Sequence, residues 1–228
     1  MVFAVEIITL APDLWPQLLA PEAGLTGRAF HEGKADVFVR DLRQYGSGRH
    51  QQVDDAPFGG GAGMVLCVEP LHRAIKDARR QTSGPVVLLT PRGQPLSQGL
   101  ARELADGPGM TLVCGRYEGV DERVRRYVDQ QVSTGDVVLS SGDPAAWCMI
   151  DAVVRLLPGV LGNPDSLAEE SFACGLLEYP QYTRPAEYDG ESVPEVLRSG
   201  DHQAVAAWRR QQALRLTREL RPDLLEEP

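Results

Sequence analysis

The sequence predicts an α/β fold with a mainly parallel sheet and a smaller helical region near the C-terminus. Short apolar runs alternate with amphipathic stretches over the first 157 residues, a pattern typical of strands joined by helices. Several runs are continuously apolar, as in strands that are buried on both faces. With 228 residues, 43% of them hydrophobic, the chain can form a sizeable core, in one large domain or in one medium and one small domain.

Five apolar runs are predicted strands, at residues 3–10, 35–39, 86–89, 110–113 and 137–139. Amphipathic stretches predict helices at residues 14–31, 68–80, 97–105, 122–128 and 145–157. Beyond residue 157, glycines and prolines break the pattern, and a polar segment and a proline-rich stretch follow. A last helix is predicted at residues 202–220. We therefore place a domain boundary near Asn163.

The composition argues against several classes of protein. A net charge of −9 argues against nonspecific polyanion binding, because phosphate affinity comes from clustered Lys and Arg. The four cysteines are scattered without a Cys-x-x-Cys pair, so neither a disulfide framework nor a zinc cluster is expected. No basic segment precedes the first apolar run, and no window is long and apolar enough to span a membrane. We expect a soluble, cytoplasmic protein.

Three glycine-bearing loops directly follow predicted strands. They are residues 90–93 (TPRG), 115–119 (GRYEG) and 140–142 (SSG). In open parallel sheets, ligands bind outside the carboxyl ends of the strands, so these loops are candidates to converge on one small molecule. Each loop taken alone is also explained by a tight turn. The Gly-rich run at residues 59–63 lacks the spacing of a nucleotide-binding motif, and it predicts no function by itself.

A few charged residues near these loops are candidates for chemistry. Arg155 lies among apolar residues of a predicted helix, at the rim of a buried face where a charge needs a partner. Glu169 and Glu170 follow the domain boundary in a polar segment, and by pattern alone both are solvated loop charges. The four histidines are too dispersed to indicate a metal site.

Six segments together resemble one protein family. The chain resembles the bacterial tRNA (guanine-37-N1)-methyltransferases of the SPOUT superfamily, and the matching segments occur in order over nearly its whole length. They are RHQQVDDAPFGGGAGM (49–64), LVCGRYEGVDERV (112–124), GDVVLSSG (135–142), IDAVVRLLPGVLG (150–162), ESFACGLLEYPQYTRP (170–185) and VPEVLRSGDH (193–202).

The resemblance implies a specific fold and a methyl donor. Family members have a parallel sheet domain tied in a trefoil knot, whose loops bind S-adenosyl-L-methionine, and they form homodimers with each active site at the subunit interface. It implies a donor-binding domain at residues 1–163, a flexible lid at 164–175 and a helical RNA-binding domain at 176–228. By motif, the donor would contact Leu88, Thr90, Pro91, Gly115, Tyr117, Glu118, Gly119, Ser133, Gly135, Leu139 and Gly142.

The resemblance also implies a reaction, methylation of N1 of guanosine 37 in tRNA. Glu170 stands where the family has its aspartate base, and Arg155 would stabilise negative charge on O6 of the base. Family members are described as needing magnesium, so Mg²⁺ is a candidate cofactor, although no metal-ligand spacing is present. Arg184, Trp208, Arg209 and Arg210 would contact tRNA. The alternatives are a catalytically impaired SPOUT RNA-binding protein and a methyltransferase for another tRNA position.

Two features depart from the family pattern. The loop that usually contains Ser-Gly-Gly-Glu reads Ser140, Ser141, Gly142, Asp143 here, so a serine replaces a glycine. Glutamate replaces aspartate at the position of the base. Near the C-terminus, residues 203–222 hold five arginines against one glutamate, which predicts either contacts to tRNA phosphates or a solvated helix face.

Overall fold

The computed structural model describes residues 2–163 and 166–225. The chain divides into two compact units, Met1–Gly162 and Asn163–Pro228. The start of the predicted lid, at Pro164 and Asp165, lies outside the described residues.

The first unit is built on a five-stranded sheet with helices on both faces. The strands of the whole first unit, inside and outside this sheet, are β1 (Phe3–Thr9), β2 (Ala35–Asp41), β3 (Asp54–Asp55), β4 (Val65–Leu66), β5 (Val86–Pro95), β6 (Gly109–Cys114) and β7 (Gln130–Ser133). Its α-helices are α1 (Trp15–Leu18), α2 (Leu25–His31), α3 (Val68–Gln81), α4 (Gln98–Ala105) and α5 (Asp143–Val154). Short 3₁₀ helices lie at Pro12–Leu14, Pro21–Ala23, Leu42–Tyr45 and Glu122–Tyr127.

The sheet has the strand order β2-β1-β6-β5-β7, and all neighbouring pairs are parallel. The predicted α/β class with a parallel sheet is thereby confirmed. The ladder between β5 and β7 is interrupted between Leu89 and Gln94, so β5 runs beyond the predicted residues 86–89. The β5 residues between these two positions do not pair with β7, and they lie at the carboxyl end of the sheet with the glycine-bearing loops.

One predicted strand is wrong. Residues 137–139 form no strand, and Val138 is 89% exposed. The strand at this place is β7, a few residues earlier, whose first two residues are the polar Gln130 and Gln131. Because β7 is an edge strand with a single neighbour, it needs less apolar sequence than the central strands.

The helix predicted at residues 14–31 is also wrong as a single element. Prolines and Gly24 divide it into α1, α2 and two 3₁₀ turns, because proline fits only the first turn of a helix and Gly24 has a φ of +109°. The helix predicted at 122–128 is the 3₁₀ helix Glu122–Tyr127. Helix α5 begins at Asp143 and ends before Arg155, slightly displaced from the predicted 145–157.

Alternate residues of the central strands face two separate cores. Ile7 and Leu112 belong to the core under α4 and α5, whereas Ile8 and Val113 belong to the core under α3. This alternation follows from the two-residue period of a strand, and it explains why the sequence of a doubly covered sheet is continuously apolar.

The second unit contains a short hairpin and a long helix. Its elements are α6 (Ser166–Glu169), β8 (Glu187–Tyr188), β9 (Glu191–Ser192), α7 (Glu195–Arg198), α8 (His202–Leu220) and a 3₁₀ turn at Pro222–Leu225. Helix α8 has the predicted bounds, and the Asp201 carboxylate caps it by accepting from the Gln203 and Ala204 N–H groups. The Leu177 N–H donates to the Thr217 hydroxyl, which attaches the preceding segment to α8.

None of the helices in the described parts of the chain has the length and apolar character needed to cross a membrane.

Candidate active site

A cavity of about 500 Å³ opens at the carboxyl ends of β6 and β7 and beside the part of β5 where its ladder with β7 is interrupted. The three glycine-bearing loops form much of its wall, as expected for the strand ends of a parallel sheet. Its lining residues are Leu88, Leu89, Thr90, Pro91, Arg92, Gly115, Arg116, Tyr117, Glu118, Gly119, Val120, Glu122, Val132, Ser133, Thr134, Val137, Val138, Leu139, Ser140, Ser141, Gly142 and Ala145.

The structure places ten of the eleven donor-site candidates in this lining. Gly135 is the exception. Its N–H donates to the Ser133 hydroxyl and its carbonyl accepts from the same group, so it fixes the turn that follows β7. Other lining residues, such as Arg92 and Ser140, lie next to the predicted ones in the same loops, so their position in the chain is the signal that identifies them.

Backbone contacts bring two of the loops together. The Gly142 N–H donates to the Gly115 carbonyl at 2.7 Å, and Arg116 and Ser141 form an isolated antiparallel bridge. A Cβ atom on Gly142 would lie 2.8 Å from both the Cys114 Cα and the Gly115 nitrogen. Only glycine therefore allows this close approach without a shift of the backbone.

Gly115 behaves differently from Gly142. A Cβ atom built on Gly115 would have its nearest protein neighbour, the Leu89 carbonyl oxygen, at 3.7 Å, an ordinary contact distance. The Cβ atom of a side chain at Gly115 would therefore meet the neighbouring backbone only at ordinary van der Waals distance.

The Gly-rich run at 59–63 adjoins the cavity, which its sequence did not indicate. Glu118, a lining residue, donates its N–H to the Met64 carbonyl. A Cβ atom on Gly63 would lie 2.4 Å from Glu118 Oε1, so the run packs against the side chain of Glu118. Strand β4 is attached nearby, because the Leu66 N–H donates to the Gly119 carbonyl.

A buried carboxylate fixes the loop in which this chain departs from the family pattern. Asp143, only 2% exposed, accepts from the Thr9 hydroxyl at 2.6 Å and from the Trp15 indole N–H at 3.1 Å. The Ser141 hydroxyl donates to its other oxygen at 2.9 Å. The serine therefore adds a hydrogen bond within the loop, and its φ is not in the left-handed region.

We expect Asp143→Ala to destabilise the first unit and weaken binding in the cavity. Three donors would lose their acceptor, and an unsatisfied buried donor costs about 1–3 kcal/mol. Thermal unfolding should shift to lower temperature, whereas Asp136→Ala, which removes an exposed carboxylate from the neighbouring loop, should have almost no effect. Equal melting temperatures for the two variants would contradict the structural role of Asp143.

One ion pair lies in the cavity lining, and a second lies next to it in the chain. Arg92 and Glu122 lie 3.0 Å apart, and Arg123 binds Asp121 through two nitrogens. The hydrogen bond from Arg123 lowers the pKa of the Asp121 carboxyl. Burial, followed by the nearby charge of Asp143, raises the pKa of the Cys114 thiol well above its usual value. Cys114 is therefore a protonated, apolar part of the core beneath the site.

The two residues with predicted catalytic roles lie in different units. Arg155 is partly buried and directly follows α5, and its N–H donates to the Asp151 carbonyl. Glu170 is partly buried and directly follows α6, and its carbonyl accepts from the Ala173 N–H. The cavity lining comes entirely from the first unit.

The second unit contains a cluster around Glu169 that the sequence did not reveal. The Tyr179 hydroxyl donates to Glu169 Oε2 at 2.6 Å. The Arg209 guanidinium lies 4.6 Å from the centroid of the Tyr179 ring and 3.4 Å from the same carboxylate oxygen. Burial, and then the hydrogen bond to Glu169, raise the pKa of Tyr179, so the phenol remains a donor. We call these three residues the Glu169 cluster.

The other candidate RNA contacts have varied surroundings. Arg184 and Arg210 are exposed, and the Trp208 ring packs against Tyr182 with centroids 6.3 Å apart. Two other arginines of the basic stretch bind nearby acids, Arg215 with Glu219 and Arg221 with Asp223.

Metal binding has no support in residues 2–163 and 166–225. No group of three or more His, Cys, Asp or Glu side chains there is arranged to hold an ion. The described residues therefore offer no ligand set for the candidate Mg²⁺.

Comparisons with known proteins agree with this architecture. The family model described as tRNA (Guanine-1)-methyltransferase TrmD matches residues 3–227. A protein named tRNA (guanine-N(1)-)-methyltransferase from Anaeromyxobacter sp. strain Fw109-5 is 55% identical over 225 residues, which cover 97% of this chain and 90% of the relative. Proteins of the same name from Novosphingobium aromaticivorans and Ruegeria pomeroyi are 52% and 53% identical, covering 99% and 98% of this chain and 92% of each relative. The match over nearly all of both chains shows that the protein belongs to the tRNA (guanine-1)-methyltransferase family.

Proposed function

We propose that the protein transfers a methyl group from S-adenosyl-L-methionine to N1 of guanosine 37 in tRNA, with Glu170 as general base. Its membership of the family assigns the activity of a tRNA guanine-N1 methyltransferase. The methyl donor, the position of the guanine in tRNA and the base are the finer parts of the proposal.

The strand-end cavity is the observation that carries the proposal. Its volume of about 500 Å³ lies in the range of ordinary ligand sites. The three loops line the cavity with backbone and side-chain polar groups that can hydrogen-bond a nucleoside, and Leu88 and Leu139 add apolar surface. These residues fit the donor, which when bound supplies an electrophilic methyl group on its sulfonium.

The reaction needs a base because N1 of guanine carries a proton near neutral pH. A carboxylate within hydrogen-bond reach is adequate for this proton transfer. Glu170 occupies the family position of the base, and it accepts the proton as N1 becomes the nucleophile. Arg155 then donates hydrogen bonds to O6, where negative charge develops.

The Glu169 cluster fixes the residue adjacent to the proposed base. It links the end of α6 to Tyr179 and to helix α8. The backbone that leads into Glu170 is therefore restrained. We therefore assign Arg209 a positioning role and assign phosphate contacts to Arg184 and Arg210, with Trp208 as a stacking surface for the RNA.

We expect Tyr179→Phe to slow methyl transfer without weakening tRNA binding. The variant loses the hydroxyl that holds Glu169, and a misplacement of about 1 Å at a catalytic group lowers the rate by up to about 100-fold. Tyr182→Phe is the matched control, because the Tyr182 hydroxyl makes no hydrogen bond among the described residues. A loss of tRNA affinity with an unchanged single-turnover rate would contradict the positioning role.

Two further features of the family belong to the proposal. A trefoil knot is expected from membership of the family, whose model matches residues 3–227. A homodimer is supported by Val137 and Val138, which are 58% and 89% exposed at the cavity, because apolar side chains clustered at a site are typical of an interface.

Transfer of radiolabelled methyl from S-adenosyl-L-methionine to tRNA transcripts tests the function. We expect labelling of a transcript with guanosine 37 and none of the same transcript with adenosine 37. Labelling of both would favour a methyltransferase for another position. Binding of tRNA without any labelling would favour the catalytically impaired RNA-binding alternative.

A further inference from the structure

A second groove lies on the face of the sheet that α3 covers. It has a volume of about 460 Å³ and is lined by residues of α3 and of the end of the 3₁₀ helix Glu122–Tyr127. Its lining residues are His72, Ile75, Lys76, Arg79, Arg80, Arg126 and Tyr127.

The lining of this groove is positively charged on an acidic protein. It includes four Lys or Arg residues and no acid, whereas the whole chain has a net charge of −9. Arg79 and Arg80 bind the adjacent acids Asp129 and Asp77. Lys76 and Arg126 are exposed and have no ion-pair partner within the described residues. Two cations are therefore available to an anionic partner.

The groove has a fixed framework. The His72 and Tyr127 rings stack in parallel, with centroids 3.8 Å apart and an angle of 9°. The Asp129 carboxylate accepts from Arg79 and from the Val86 N–H at the start of β5. These contacts tie the groove to the central sheet, so its cations are presented from a rigid surface.

One short element joins the groove to the candidate active site. Glu122 lines the cavity and Arg126 lines the groove, and both belong to the same 3₁₀ helix. At a rise of about 2.0 Å per residue, the four steps between them span about 8 Å. Successive phosphates of a stacked strand are spaced by roughly 3.4 Å along its axis. The groove is therefore within a few nucleotides of a base held at the cavity.

We propose that this groove binds phosphates of the substrate tRNA, at nucleotides near the one that is methylated. The inference rests on the proposed function, since it requires a tRNA nucleotide at the cavity. Phosphate contacts position an RNA without reading its sequence, and the lining offers charge rather than base-specific hydrogen-bonding groups. The cations of the groove attract the tRNA phosphates, whereas the acidic remainder of the protein surface repels them.

The test compares two double variants with the same change of charge. Lys76→Ala with Arg126→Ala removes the two unpaired cations of the groove. Arg28→Ala with Arg102→Ala is the control, because these residues lie on α2 and α4 at the other core and also have no ion-pair partner among the described residues. Binding of a tRNA transcript is measured over a range of salt concentrations, and calorimetry with S-adenosyl-L-methionine shows that the cavity is intact.

We expect the groove variant to reduce the salt slope of tRNA binding by about 2, one unit for each lost phosphate contact. The control should keep the wild-type slope, and the charge-preserving variant Lys76→Arg with Arg126→Lys should nearly restore it. A groove variant with the wild-type slope and affinity, or one that differs no more than the control, would overturn the proposal. Failure of the wild-type protein to methylate any tRNA would instead overturn the proposed function.

Discussion

Glu170→Gln is expected to lower the single-turnover rate of methyl transfer by about 10² to 10⁴, the usual contribution of a positioned base. The affinity for S-adenosyl-L-methionine should be nearly unchanged, because the residues that line the cavity belong to the other unit. The amide has almost the shape of the carboxylate but cannot accept the N1 proton at neutral pH. A selective loss of rate would therefore assign the proton transfer to Glu170.

Two further variants separate Glu170 from its neighbour. Glu170→Asp keeps the carboxylate and shortens it by one methylene, so it should retain more activity than Glu170→Gln. Glu169→Gln keeps an acceptor for the Tyr179 hydroxyl but loses the charge that attracts Arg209, and it should have an intermediate effect. If Glu169→Gln abolished transfer while Glu170→Gln remained near wild type, Glu169 would be the base.

Gly142→Val should weaken S-adenosyl-L-methionine binding by on the order of 10- to 100-fold. The Cβ atom of the new side chain would lie 2.8 Å from the backbone of Cys114 and Gly115. Overpacking of this kind costs about 1–3 kcal/mol. Each loss of about 1.4 kcal/mol in binding free energy lowers the affinity about tenfold. The strain is relieved when the two loops move apart. Because these loops form the cavity wall, this movement changes the shape of the donor site.

The control for Gly142→Val is an alanine at a glycine with ordinary surroundings. A Cβ atom on Gly99, in α4, would have its nearest neighbour at 3.7 Å, so Gly99→Ala should bind the donor as the wild type does. Isothermal titration gives both affinities, and circular dichroism shows whether the fold is kept. Wild-type affinity in a folded Gly142→Val protein would show that this loop does not shape the donor site.

Local sequence pattern was sufficient for most of the sheet and for the long helices. Buried parallel strands such as β1 and β6 are continuously apolar, and α8 has a capping aspartate at its start, so both leave clear signals. The strand prediction for residues 137–139 was wrong because the apolar side chains of this run are exposed at the cavity. Their composition reflects the surroundings of the site and not a strand.

The candidate site was only partly predictable for a related reason. The three strand-end loops could be found because parallel strands end at one edge of a sheet. The bonds from Thr9 and Trp15 to Asp143 join residues 134 and 128 positions apart, and no local period records such a contact. The packing of Gly63 against Glu118 and the contact between Glu169 and Arg209, 40 positions apart, also join distant parts of the sequence, so only the structure identifies them.

The identity and position of the methylated nucleoside decide whether the protein methylates N1 of guanosine 37. A tRNA transcript with guanosine 37 is incubated with S-adenosyl-L-methionine and excess protein, digested to nucleosides and fragments, and analysed by mass spectrometry. We expect one N1-methylguanosine per tRNA, located in the fragment that contains position 37. A methyl group on another nucleotide, or on another atom of guanosine 37, would contradict it.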